Sequence, residues 1–229
     1  MNFEAIAQSW PLYLAGLATT AWLLLAALVI GGVAALPLSL LRVAPQRWLH
    51  GPVWLFTYVI RGTPLLVQLF IIYYGLAQFA FVRESFAWPW LQSAAFCAVL
   101  AFAINTCAYT TEILAGAIKA LPAGEIEAAR AFGMSRRVVL RRIVLPAALR
   151  RSIPAYGNEV ILMLHGTSLA SVVTLLDLTG VAREVNSRHY LPFEAFVTAG
   201  AIYLAVTLAL VGLLRLAERR WLAPITRHG

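Results

Sequence analysis

The stretch AIAQSWPLYLAGLATTAWLLLAALVIGGVAALPLSLL, Ala5 to Leu41, contains no Asp, Glu, Lys or Arg. A helix needs about 20 apolar residues to cross the hydrocarbon core of a bilayer, and this run exceeds that. A second charge-free run extends from Ser85 to Thr111. The whole chain of 229 residues is 61% apolar and 12% charged, against about 25% charged in soluble domains. The missing charge is therefore concentrated in segments of membrane-spanning length. The chain reads as an all-α integral membrane protein.

Working outward, the pattern predicts five transmembrane helices in a single membrane domain, 1–229, at about 12–41, 65–81, 91–119, 153–173 and 193–214. Arg61-Gly62-Thr63-Pro64 interrupts an apolar stretch ahead of the second span. Proline suits the start of a helix, so Pro52 to Ile60 is expected to be an interfacial segment leading into that span, with Trp48, Trp54 and Tyr58 as interface residues. No basic residue precedes Arg42, which does not fit the basic start of a cleavable signal peptide. Cys97 and Cys107 fall in one apolar segment and read as small packing residues; no Cys/His cluster has metal-ligand spacing, and no metal is expected.

Lys and Arg in loops set orientation. One set of loops, including Arg42, Arg61, Lys119 to Arg151 and Arg215 to Arg227, carries fifteen; the other carries three, Arg83, Arg183 and Arg188. The N-terminus is thus expected outside and the C-terminus in the cytoplasm of a bacterial inner membrane. The net charge of +8 is accounted for by basic cytoplasmic loops, without nucleic acid.

The loop 119–151 carries helix signals. Glu125 and Glu127 stand in a first turn, where the helix dipole favours acidic groups. Ala128, Ala129 and Ala131 keep a surface small enough for close approach by another protein. Gly133 suits a left-handed helix end, and Ser135 is placed to cap a second helix, Arg136 to Leu145, which Pro146 is expected to interrupt. A basic hairpin lying on anionic lipid has similar composition. The spacing is more specific: Glu127-Ala128-Ala129, Gly133 and Ile143-Val144-Leu145-Pro146 reproduce EAA-x3-G-x9-I-x-LP. This resembles the cytoplasmic coupling loop of permease subunits of binding-protein-dependent ABC importers. The resemblance implies that the short helix docks on a separate ATP-binding subunit and passes its movement to the membrane helices. The chain's single lysine, Lys119, lies outside any P-loop sequence. ATP and Mg²⁺ are expected on the partner, and no cofactor on this chain.

Further segments extend the resemblance over nearly the whole chain. Arg61-Gly62-Thr63-Pro64-Leu65 with Gln68, Asn105 to Ile113, and Asn158-Glu159-Val160-Ile161 are similar to polar amino acid permeases. Asn158 to His165 (NEVILMLH) and Ala217 to Trp221 look like the M-type subunit of histidine/lysine/arginine/ornithine permeases and their octopine and nopaline relatives. Many amino acid permeases have Lys-Asp where this chain has His165-Gly166, which favours the basic or opine branch. The same architecture importing a neutral or acidic amino acid is the alternative. The resemblance implies a type I ABC importer permease fold. It also implies partnership with a second permease subunit (Q-type or self), an ATPase dimer and a periplasmic binding protein.

Ionisable residues inside a span are costly and usually face a cavity or a partner. Glu159, with Asn158 beside it, is a candidate for a cationic side chain or ammonium, or else a carboxylate that holds a neighbouring helix. His165 is a substrate candidate or a helix-packing histidine. Gly166-Thr167-Ser168-Leu169 is expected to loosen the fourth span and offer amides and hydroxyls to a carboxylate, as broken helices do, or to be a small-residue packing face. Asn105, Tyr109 and Thr110 are expected on the same cavity. Glu112 reads as a structural partner for a nearby arginine.

Other classes fit less well. Gly166-Thr167-Ser168 superficially resembles the G-x-S of an intramembrane protease, but the later histidines, His189 and His228, fall in an expected external loop and in the tail. The single Asp, Asp177, leaves no aspartyl dyad. Secondary carriers usually show repeated helix groups, and five spans show none.

Overall fold

The computed structural model describes residues 3–222, and among them every regular element is helical. Arg227 and His228 lie outside the described residues. A short helix, α1 (Phe3–Gln8), leads into α2 (Trp10–Arg42), which covers the first charge-free run. Helix α3 (Arg47–Gly62) follows, then α4 (Leu65–Phe70), a π-helical turn over Ile71–Gly75 and a 3₁₀ turn over Leu76–Gln78. Two short turns, α5 (Ala80–Arg83) and α6 (Trp88–Leu91), precede α7 (Ala94–Lys119), whose first turn is capped by the Ser93 hydroxyl accepting from the Phe96 amide. The third span therefore starts after residue 91, where Ser93 offers the first cap.

The loop 119–151 contains α8 (Ala123–Ala131) and α9 (Arg136–Val139). From α9 the backbone stays helical through a π-helical turn, Leu140–Val144, into α10 (Leu145–Gly166) and a 3₁₀ turn, Thr167–Val173. The expected stop at Pro146 does not occur. Proline lacks an N–H and cannot make the ordinary i−4 bond. Here the π turn displaces the bonding pattern just before it, and Pro146 falls in the first turn of α10. The last described elements are α11 (Leu178–His189) and α12 (Pro192–Leu222).

Among the described residues three helices, Trp10–Arg42, Ala94–Lys119 and Pro192–Arg220, are each long and apolar enough to cross a membrane, and the count is five where each of two bent pairs forms one span. One pair joins Arg47–Gly62 to Leu65–Gln78 at 104°; the other joins Arg136–Val173 to Leu178–His189 at 46°. The apolar window of α7 is 61% buried, against 33% for α2 and 6% for α12, so α7 is the central helix and α12 presents its side chains outward.

Helices α2 and α7 cross closely because Gly31 faces α7: a Cβ there would stand 2.7 Å from the Ala103 carbonyl oxygen and 2.9 Å from the Thr106 Cβ. Small residues permit such approach between membrane helices. The main core combines Leu23, Leu24 and Ala27 of α2 with Phe102 of α7 and Met163 and Leu164 of α10.

The segment expected to be an external loop containing His189 is instead mostly α11, and His189 is its last residue. Its apolar residues Leu178, Val181, Ala182 and Val185 pack with Tyr13 of α2 and Ala195 and Ala199 of α12. Asp177 caps it, accepting from the amides of Thr179 and Gly180 at 3.1 Å each, while the Tyr203 hydroxyl donates to the same carboxylate at 3.2 Å. The lone aspartate of the chain is thus a buried helix cap.

Candidate functional site

The sharp bend between α3 and α4 opens a cavity of about 440 Å³. Its wall is the Arg61 to Leu65 turn, with Asn105 and Tyr109 from α7 and Glu159, Leu162 and Met163 from α10. The bend forms because Thr63 and Pro64 are extended, with ψ of 145° and 136°, as residues at and before proline prefer. Gln68 holds the two arms together. Its side-chain nitrogen lies 2.6 Å from the Ile60 carbonyl, 3.1 Å from the Thr63 carbonyl and 2.8 Å from the Thr63 hydroxyl. Its oxygen accepts from Asn105 Nδ2 at 3.1 Å.

Two opposite charges share this cavity without forming an ion pair. Arg61 lies over the Tyr109 ring, its Cζ 5.2 Å from the ring centroid, a cation–π arrangement. Glu159 is only 4% exposed, and its Oε1 makes no hydrogen bond. A buried carboxylate is costly without a compensating positive group, and because Glu159 lines the cavity a cationic ligand there would compensate it. The guanidinium and carboxylate together suit a zwitterion carrying an additional positive group.

Asn105 and Tyr109, four residues apart, face the cavity together, as their helical spacing requires. Thr110 does not: it is buried and turns toward a separate apolar cavity of about 820 Å³ between α2 and α10, which Leu28, Gly32 and Tyr156 also line. Asn158 is exposed on another face of α10 and does not line the substrate-sized cavity. His165 reaches across to α12, with Nε2 3.2 Å from the Thr207 hydroxyl, and does not line this cavity. The span loosens after Gly166, but the Thr167 hydroxyl donates back to Leu164 O at 2.6 Å and the Ser168 hydroxyl to His165 O at 2.7 Å. These hydroxyls satisfy their own helix instead of lining the cavity.

In the sequence Arg61 counts among the basic loop residues and begins the Arg61–Leu65 resemblance, but neither reading makes it a site residue, whereas the structure sets it in the cavity wall. Its signal was its position one residue before Gly-Thr-Pro, where a helix end projects it into the bend.

The helix α8 presents a second surface. Glu125, Glu127 and Ala128 are exposed, and Phe132 is 89% exposed. Ala129 instead points inward and packs with Leu121, Val139 and Val144. Its small side chain serves the loop's own core. Gly133 adopts φ +76°, the left-handed conformation that ends α8 and turns the chain toward α9. Arg151 joins this unit to the end of α7, donating to Ala120 O at 3.1 Å.

Residues 27–223 match the family described as binding-protein-dependent transport system inner membrane component. The histidine/lysine/arginine/ornithine transport system permease protein HisM of Escherichia coli strain K12 is 51% identical over 92% of this chain and 89% of its own length. The nopaline transport system permease protein NocM of Agrobacterium fabrum is 46% identical over 99% of this chain and 94% of its own. Among solved structures, an amino acid ABC transporter with histidines matches at TM-score 0.86 and 36% identity, covering 96% of this chain and 99% of that one. A methionine ABC transporter, MetNI, in an inward-facing form shares the fold at TM-score 0.71 and 18% identity, over 90% of this chain and 96% of that one.

Proposed function

The chain belongs to the family of binding-protein-dependent transport system inner membrane components, and from that premise we propose that it is a permease subunit of an ABC importer for basic amino acids or opines. The observation that carries this reading is the cavity at the α3–α4 bend, where an exposed guanidinium and a buried, unpartnered carboxylate face one space. A basic amino acid brings a carboxylate for Arg61 and donors for Glu159 and Asn105. Relatives named for histidine, lysine, arginine, ornithine and nopaline transport support the cargo.

Membership in the family implies an ATPase and a binding protein as partners. In this reading ATP and Mg²⁺ belong to the ATPase, which docks on Glu125, Glu127, Ala128 and Phe132, with Ala129 and Gly133 shaping the helix from behind. The subunit pairs with a Q-type chain or a second copy of itself, and the cargo passes between the two. The fifteen-to-three distribution of Lys and Arg supports an N-terminus outside and a C-terminus in the cytoplasm of the inner membrane.

Co-purification of the tagged chain from its native membrane tests the assignment. An ATPase subunit is expected to elute with it, and ATP hydrolysis is expected to rise with binding protein loaded with arginine. Glu127→Lys, which places positive charge on α8, is expected to lose the ATPase or its stimulation. A wild-type chain that elutes without any ATPase and moves arginine alone in liposomes contradicts the assignment.

A further inference from the structure

The hydrogen bonds at the bend fix which atom Asn105 shows to the cavity. The Gln68 side-chain nitrogen faces two backbone carbonyls, Ile60 O and Thr63 O. Carbonyls only accept, so the Gln68 amide cannot be turned the other way without setting oxygen against oxygen. Its Oε1 must then face Asn105, and only Asn105 Nδ2 can donate to it, at 3.1 Å. That leaves Asn105 Oδ1, which accepts no hydrogen bond among the described residues, as the atom available to a ligand. Asn105 lines the cavity together with Glu159, whose carboxylate is buried. An asparagine free to rotate would offer either its oxygen or its NH₂. Here the choice is dictated by the backbone of the broken helix.

We propose that Gln68 is a specificity-determining positioning residue. It locks the Asn105 amide with Oδ1 toward the cavity, so that the site presents acceptors and selects a positively charged, donor-rich group such as an ammonium or guanidinium over a neutral isostere. Gln68 itself does not touch the ligand. It transmits the conformation of the Arg61–Pro64 turn to α7, and thus ties the shape of the bend to the polarity of the site. This inference rests on the cavity being the substrate site.

The test is equilibrium binding of arginine and citrulline to the purified permease–ATPase complex assembled without binding protein. Citrulline matches arginine in shape but lacks its charge and replaces one donor with an oxygen. Gln68→Met removes the lock at similar length and is expected to weaken arginine binding about tenfold, the worth of one charge-assisted hydrogen bond, while narrowing the preference over citrulline. The decisive measurement is a double-mutant cycle with Asn105→Asp. A carboxylate shows oxygen to the cavity in either orientation and sets its other oxygen against Gln68 Oε1, so Gln68→Met is expected to cost less than about twofold, or to improve binding, when Asn105→Asp is already present. Equal loss in both backgrounds means that Gln68 acts only on the bend and overturns the proposal. If Gln68→Met fails to assemble, Asn105→Leu with Gln68 intact is expected to show the tenfold loss, and unchanged binding there overturns it equally. Glu159→Gln separates the two levels of argument. If it weakens arginine binding while the cycle shows no coupling, the substrate cavity stands and the relay falls. If neither Glu159→Gln nor Gln68→Met changes arginine binding, or the wild type binds none, the cavity reading falls and the relay with it.

Discussion

At residue 112 a single carboxylate oxygen receives two donors from different helices: Arg42 Nε of α2 and the Thr57 hydroxyl of α3, each at 2.6 Å. The expectation of a structural arginine partner for Glu112 is met, and Thr57 adds a contact that spacing alone did not suggest. This pairing ties α3 to the α2–α7 packing near one end of both spans. The pair is partly buried, and removing one side leaves the other charge uncompensated, which costs more than at a fully exposed pair. Glu112→Ala is expected to lower the thermal midpoint of the purified complex markedly. The double change Glu112→Ala with Arg42→Met is expected to recover part of that loss, and a thermal-shift series over the variants checks the non-additivity.

Among the elements, the α2–α7 crossing and the α8–α9 turn each depend on a glycine for a different reason. At Gly31 the limit is space. A larger side chain must push against the Ala103 backbone, and overpacking costs about 1–3 kcal/mol or more. Gly31→Val is expected to reduce the yield and thermal stability of assembled complex, whereas Gly116→Ala, with nothing within 4 Å of its added Cβ, is expected to be close to neutral. At Gly133 the limit is the backbone. Nothing crowds an added Cβ, but φ is +76°, which costs a side-chain-bearing residue about 1–2 kcal/mol. Gly133→Val is expected to disturb the end of α8 and release the ATPase in co-purification, with Gly133→Asn milder because asparagine tolerates the left-handed region. The glycine was legible from the EAA-x3-G spacing. The inward turn of Ala129 was not, since the pattern marks three adjacent residues without saying which of them faces the loop's own core.

For the whole molecule, the proposed orientation gives a direct test. Cys97 and Cys107 are both buried, so a cysteine introduced elsewhere reports with little background. Glu84→Cys, in the segment between α5 and α6, is expected to react with a membrane-impermeant maleimide added to intact spheroplasts. Glu125→Cys on α8 is expected to react only after permeabilisation. The reverse labelling pattern would invert the topology and place the docking surface on the wrong side for an ATPase. The same scale separates what the chain's letters decide from what folding adds. Charge-free runs longer than a bilayer core determine where helices must lie, because an unpaired backbone in hydrocarbon is too costly. The coupling-loop spacing determines the family, because its residue types recur at fixed distances. Those properties are local and can be read one window at a time. The continuous helix through Pro146, the cap at Asp177 and the burial of α11 required the tertiary structure. The first two depend on how neighbouring turns redistribute backbone bonds, and the burial of α11 depends on its packing against α2 and α12. The site required it most. Arg61, Gln68, Asn105 and Glu159 come from segments far apart in sequence, and only the 104° bend between α3 and α4, packed against α7 and α10, sets their charges and hydrogen-bonding atoms around one cavity.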